Sequence, residues 1–253
     1  MSTTSRSVYS ARNVAAIWLG QAVSLLCTFV VRMVFVRYLT QDYLGLETLF
    51  SNVITMLSLA ELGVGSAMVY SLYKPLAEGD KDSVKSIMRL FRRAYVAIGV
   101  VIAVVGLALA PNITLFIEDA PDIPNLNLYF LFFVFNSALS YFFSYKGLLL
   151  TADQKNYVVA LVRYAFQIVL CAVQVAVLAA TQNYLLFLMC MLCATLGQNI
   201  VTVVLANRAY PYLLGKNINP VDKDVLGGIK RNVVGMIVHK VSSVVNAPVN
   251  TVV

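Results

Sequence analysis

Five ionisable side chains interrupt long apolar runs of this sequence: Arg32, Glu61, Arg163, His239 and Lys240. On insertion scales such a group at the centre of a membrane helix costs roughly 2.5 to 3.5 kcal/mol, so it faces a bundle interior or a wet cavity and not hydrocarbon. Each belongs to a row of polar neighbours spaced three or four residues apart, which places the row on one helix face. Gln21, Ser24, Thr28 and Arg32 form one row, and Ser51, Thr55, Ser58, Glu61 and Gly65 a second. Arg163, Gln167, Cys171 and Gln174 form a third, and His239, Ser242, Asn246 and Asn250 a fourth. Asn136, Ser140 and Ser144 add a fifth, with Tyr141 and Tyr145 beside them. The chemistry on offer is recognition: cations for an anionic group, and amides and hydroxyls for a polar one. A single hydroxyl in such a row also serves plain interhelical bonding, worth about 1 kcal/mol. Arg32 is deep enough in its run to snorkel towards the far surface, and Arg163, His239 and Lys240 are near enough to the basic side to do the same. Glu61 is closest to the middle of its run.

Motifs for covalent chemistry are missing. The sequence has no phosphate-binding GxxxxGK[ST], no dinucleotide fingerprint, no HExxH and no GxSxG. No cofactor and no enzymatic activity are therefore expected. Cys190 and Cys193 have CxxC spacing, but a structural zinc needs about four ligands, and the one histidine, His239, lies in a distant segment. All four cysteines, Cys27, Cys171, Cys190 and Cys193, fall inside apolar runs and read as soft packing residues, with no metal site.

These rows require helices that cross a bilayer. The chain is 60% hydrophobic and 12% charged, with mean hydropathy +0.79, against roughly a quarter charged for a soluble domain. About 20 apolar residues span the hydrocarbon layer, and seven such stretches occur, at 14–36, 49–70, 94–116, 126–145, 158–180, 184–206 and 233–253. The expected fold is an all-α membrane protein. Fifteen of the nineteen Lys and Arg fall in the N-terminus and in every second connection, so the positive-inside rule predicts a cytoplasmic N-terminus. The opposite connections are short and acidic, with Asp42, Glu47, Glu118, Asp119 and Asp122. The net charge of +7 is thus a topology signal, and no nucleic-acid partner is expected. Within 80–93, Lys81, Lys85, Arg89 and Arg92 lie opposite Val84, Ile87, Met88 and Phe91. That pattern suits an ordinary basic connection or an interfacial amphipathic helix drawn to anionic lipids. Six hairpinned helices followed by an isolated seventh predict a fragment of a longer transporter, divided into a lobe over 1–206, a cytoplasmic linker over 207–232 and the start of a second lobe over 233–253.

Arg32 to Gly45 reads RMVFVRYLTQDYLG, and Leu57 to Lys74 reads LSLAELGVGSAMVYSLYK. The Arg-x(4)-Arg-x-Leu run leading to Tyr-Leu-Gly, then Leu-Ala-Glu-Leu-Gly-x-Gly, resembles the O-antigen and capsule repeat-unit flippases of the multidrug/oligosaccharidyl-lipid/polysaccharide exporter superfamily. Gly228-Ile-Lys-Arg-Asn232 resembles the inter-lobe entry of the same family. The resemblance implies a transporter of two six-helix lobes in the bacterial inner membrane, opening alternately to either side. It implies a substrate, an undecaprenyl-diphosphate-linked oligosaccharide, whose lipid tail stays outside the cavity. Surrounding lipids, a polysaccharide polymerase and glycosyltransferases are the implied partners. Carried over residue by residue, Arg32 is the best match for a cavity cation, then Glu61, with Lys240 looser. The departure is the missing second lobe, without which transport is not expected. Arg163, His239, Gln21 and Asn136 complete the candidate substrate-binding set.

Two rivals remain. A cation-coupled drug exporter of the same superfamily would use acidic residues in the first lobe, an option that Glu61 keeps open although the first span carries Arg32 and no carboxylate. A polytopic polysaccharide polymerase would need a sizeable outer loop, and the outer connections here are nearly minimal.

Overall fold

The computed structural model describes residues 3–58, 61, 63–116 and 123–215, with 226, 227, 229, 231, 233 and 235 beyond them. Within that set, side chains are described from Ile17 to Ile113 and from Ile123 onward. The expected seventh span, with His239 and Lys240, lies outside the described residues. So does most of the expected linker.

The protein is all-α. Among the described residues it has seven α-helices and no strand. They are α1 (Thr3–Tyr38), α2 (Gln41–Ser58), α3 (Val64–Glu78), α4 (Lys81–Leu109), α5 (Leu126–Ala152), α6 (Asn156–Thr181) and α7 (Tyr184–Ala209), with 3-10 turns at Ala110–Phe116 and Pro211–Leu214. Among the described residues, five stretches are long and apolar enough to cross a membrane: Ile17–Tyr38, Lys81–Ile113, Leu126–Ala152, Asn156–Thr181 and Tyr184–Ala209. Helices suit this setting because a backbone in hydrocarbon must satisfy its own hydrogen bonds. Where the chain re-enters water, side chains cap it: Asp80 accepts from the Asp82 and Ser83 amides at 3.1 and 3.0 Å, and Asn183 from Leu185 and Leu186 at 2.9 and 3.3 Å.

Two expectations need correction. The span expected over 49–70 is not one helix. It is two, α2 and α3, broken around Glu61 and Gly63, where Gly63 takes φ 81 and heads α3; a side chain there would be strained, which is why a glycine holds the break. The polar segment ahead of the first span is also helical, since α1 begins at Thr3. Neither reading of 80–93 describes it fully, because that segment is the first half of the continuous helix α4. Its apolar face, Val84, Ile87, Met88 and Phe91, is buried against Leu149 and Leu150 of α5 and Ala206 of α7, not spread on a lipid surface.

The core is divided between the two ends of the bundle. One cluster, at the α1–α2 and α6–α7 turns, joins Phe35, Phe50, Ile113, Phe130, Leu178, Tyr184 and Phe187. Its rings interlock edge to face, with Phe35 and Phe187 centroids 5.3 Å apart and Tyr129 and Tyr184 4.9 Å apart. The other cluster, at the α3–α4 and α5–α6 turns, joins Met68, Leu72, Phe91, Tyr95, Leu149 and Tyr210. Helix α1 contributes to the first cluster alone and packs mainly on α6.

Candidate functional site

Between α1, α2, α6 and α7 lies a cavity of about 480 Å³, reached by Thr28 and Arg32 of the α1 polar row. Thr28, Arg32 and Phe35 line it from α1, Glu47, Thr48, Ser51 and Asn52 from α2, Gln167 and Gln174 from α6, and Phe187 and Met191 from α7. The volume falls within the range of small-molecule sites, roughly 300 to 1,000 Å³. The helical spacing seen in the sequence explains the lining: Thr28 and Arg32 are one turn apart, as are Glu47 and Ser51, while Gln167 and Gln174 are two turns apart.

Arg32 is exposed into this space and makes no hydrogen bond or ion pair among the described residues. Glu47, which lines the same cavity from α2, interacts with it electrostatically. A guanidinium presents five donors in a planar fork that fits phosphate oxygens two at a time. Around it stand hydroxyls and primary amides, which both donate and accept; Gln174, the deepest, is 6% exposed. The cavity thus sets one cation among neutral groups that can donate and accept hydrogen bonds.

The other candidates are placed elsewhere. Glu61 sits at the break between α2 and α3, where its two oxygens accept from the Tyr95 hydroxyl of α4 at 2.8 Å and the Tyr141 hydroxyl of α5 at 2.9 Å. Gln21 and Arg163 meet at the α1–α6 contact around Tyr164. Its hydroxyl lies 3.2 Å from the Ile17 carbonyl and 3.5 Å from Gln21 Oε1, and accepts from Arg163 at 3.1 Å. This contact relies on Gly20, since a Cβ there would come within 2.1 Å of the Tyr164 ring. Asn136 lies on α5, its Oδ1 buried and without a hydrogen-bond partner among the described residues.

Of the residues singled out in the sequence, the cavity thus gathers Arg32 with Thr28, Ser51, Gln167 and Gln174, and not Glu61, Arg163, Gln21 or Asn136. Glu47 and Thr48 were missed because a span starting at 49 left them in an outer loop, and Asn52, inside that span, is one residue off the Ser51, Thr55, Ser58 row. A signal was present, for Glu47 extends the Ser51, Thr55, Ser58 row by one turn.

A second cluster ties the helix ends together. Asp153, in the α5–α6 turn, is 2.7 Å from Lys155 and accepts from the Tyr210 hydroxyl at 2.5 Å. Burial pushes the Asp153 carboxyl up, but the bonds from Lys155 and Tyr210 and the lysine charge together outweigh it and hold it below its ordinary value. Lys146, 8% exposed, donates to Asn207 of α7.

Among the described residues no three His, Cys, Asp or Glu come together as a metal-ligand set. Comparison of the chain with protein families, with curated proteins and with solved structures returned no match.

Proposed function

We propose that this chain is the first lobe of a flippase that carries undecaprenyl-diphosphate-linked oligosaccharide units across the bacterial inner membrane for surface polysaccharide synthesis, with its N-terminus in the cytoplasm. One observation carries the reading: an unpaired guanidinium, Arg32, in a cavity of about 480 Å³ between four helices, three of which line it with hydroxyls and amides. A diphosphate crossing hydrocarbon needs countercharge and a polar path, and alternating access provides both without opening a pore. In this mechanism Arg32 receives the diphosphate, and Ser51, Asn52, Gln167 and Gln174 exchange hydrogen bonds with sugar hydroxyls. No bond is made or broken. A polymerase and glycosyltransferases would act before and after this step.

The test is complementation of a strain lacking its polysaccharide flippase with the full-length gene, both lobes included, at matched expression. Wild type should restore surface polysaccharide, Arg32→Ala should lose it, and Arg32→Lys should retain part, because a point charge keeps the attraction and loses the bidentate geometry. The carboxylate of Glu47 in the same cavity favours one alternative, a cation-coupled exporter. Failure of wild type to restore polysaccharide, together with raised resistance to cationic drugs that Glu47→Gln abolishes, would replace the flippase reading with that one.

A further inference from the structure

Arg92 and Lys146 are two cations that the described residues leave without a counter-charge. Helices α4 and α5 run antiparallel in a tight register. A Cβ on Gly106 would meet the Val134 side chain at 2.4 Å and one on Gly99 the Phe142 ring at 2.7 Å, and the Tyr95 and Tyr141 rings lie 6.0 Å apart. One turn nearer the start of α4, that register brings Arg92 level with Tyr145 and Lys146 of α5, and the Arg92 charge acts on both. Lys146 is 8% exposed, its amine 5.8 Å from the centre of the Tyr145 ring and donating to Asn207 of α7, a neutral amide. Arg92 is exposed and makes no hydrogen bond or ion pair among the described residues.

The described carboxylates at this end of the bundle are engaged elsewhere. Glu78 pairs with Lys74, Asp82 with Lys85 and Asp153 with Lys155, while Asp80 caps α4 and Glu61 is held by two tyrosines. Like charges side by side in a helix bundle repel more strongly than in water, so the pair calls for an anion. Helix α5, at 27 residues, is roughly 40 Å long, about the thickness of a bilayer with its headgroup layers. Lys146 stands six residues before its end at Ala152, roughly 9 Å at about 1.5 Å per residue, which is the base of a headgroup layer. The anion abundant at that depth is lipid phosphate, and basic recesses between helices seat such headgroups. Val96, Val100 and Val104 follow Arg92 at intervals of four residues along α4, all of them exposed, so an apolar strip leads from the cations into the bilayer.

We propose that Arg92 and Lys146 grip the phosphate of an anionic phospholipid whose chains lie along the exposed valines of α4. The guanidinium fork takes two phosphate oxygens and the ammonium a third. A zwitterionic headgroup brings its own ammonium, so two cations select a headgroup of net negative charge. The site is at the opposite end of the bundle from the Arg32 cavity, since Phe35 and Tyr95 belong to different core clusters. It shares no lining residue with that cavity and stands without the flippase reading.

The experiment titrates the delipidated full chain, in a neutral detergent, with phosphatidylglycerol and with phosphatidylcholine, counting bound lipids by native mass spectrometry and following the thermal midpoint. Phosphatidylglycerol should bind about tenfold more tightly than phosphatidylcholine and raise the midpoint. Arg92→Gln should weaken phosphatidylglycerol about tenfold, and Arg92→Lys should recover part of the loss. Lys146→Met should weaken it likewise without lowering the lipid-free midpoint, because one of two repelling cations is gone. Arg93→Gln, at an exposed neighbour outside the register with Lys146, should change the affinity little.

Equal affinity for the two lipids, or an equal loss from Arg93→Gln, would reduce the attraction to diffuse surface charge and overturn the site. Inorganic pyrophosphate binding as tightly as phosphatidylglycerol, in a manner that Arg92→Gln abolishes, would assign the pair to a free phosphate or a diphosphate substrate and overturn the phospholipid. A phosphatidylglycerol titration unchanged in both Arg92→Gln and Lys146→Met would overturn the role of both cations. None of these outcomes touches the role of Arg32.

Discussion

The two carboxylates inside this bundle are held by different chemistry, and their variants should separate. Glu61 accepts two tyrosine hydroxyls, from α4 and α5, so it joins helices as much as it carries charge. Interhelical bonds of this kind measure roughly 0.6 to 2 kcal/mol. Tyr95→Phe should therefore lower the thermal midpoint in detergent modestly. Glu61→Ala should lower it more, by leaving two hydroxyls without acceptors, and Glu61→Gln should fall between. A midpoint that rises in Glu61→Ala would instead mark a carboxylate kept at the expense of stability. Glu47, in contrast, lines the same cavity as Arg32, and its loss should alter ligand affinity before it alters the midpoint. The row of polar residues on α1 made Arg32 legible in the sequence. Glu47 was hidden because it stands beyond the apolar run, and hydropathy marks where a helix is greasy and not where it begins.

At the scale of elements, apolar length alone identified α1, α4, α5, α6 and α7, since any 20-residue run without charges must satisfy its backbone as a helix in lipid. The break between α2 and α3 was not legible by the same measure. Leu-Ala-Glu-Leu-Gly is nearly as apolar as its surroundings, and the positive φ of Gly63 is a backbone property that a hydropathy window does not sense. Gly63→Val should strain that turn and displace Glu61 from Tyr95 and Tyr141, lowering the midpoint by more than Gly45→Val, at a position with open space around it. The connection between helix ends responds to pH. A carboxyl held low in the fold adds stability that is present above its unfolded value and lost as pH falls through the folded one. With Asp153 held low by Lys155 and Tyr210, the midpoint should decline below about pH 4, the ordinary carboxylate range. Asp153→Asn should start lower at neutral pH and decline less. An unchanged acid limb in that variant would assign the decline to other carboxylates.

For the molecule as a whole, the pairing of α1 with α6 has a consequence for how the protein is made. The Tyr164 hydroxyl that meets the Ile17 carbonyl is 147 residues further along the chain. At about 5 to 20 residues per second of synthesis, α1 waits roughly 7 to 30 s in the bilayer before its partner emerges from the ribosome. It must therefore persist in the bilayer without its main packing partner, and its surface suits that: Trp18, Leu19, Leu25, Leu26, Phe29 and Met33 are all more than half exposed in the finished bundle. Arg32 spends the same interval with neither Gln167 nor Gln174 beside it, so its cost of insertion is met by the apolar side chains of its own helix. Replacing Leu25 and Leu26 by serine should lower the yield of inserted protein while scarcely altering the melting of what is recovered, separating residues that serve biogenesis from those that serve the fold.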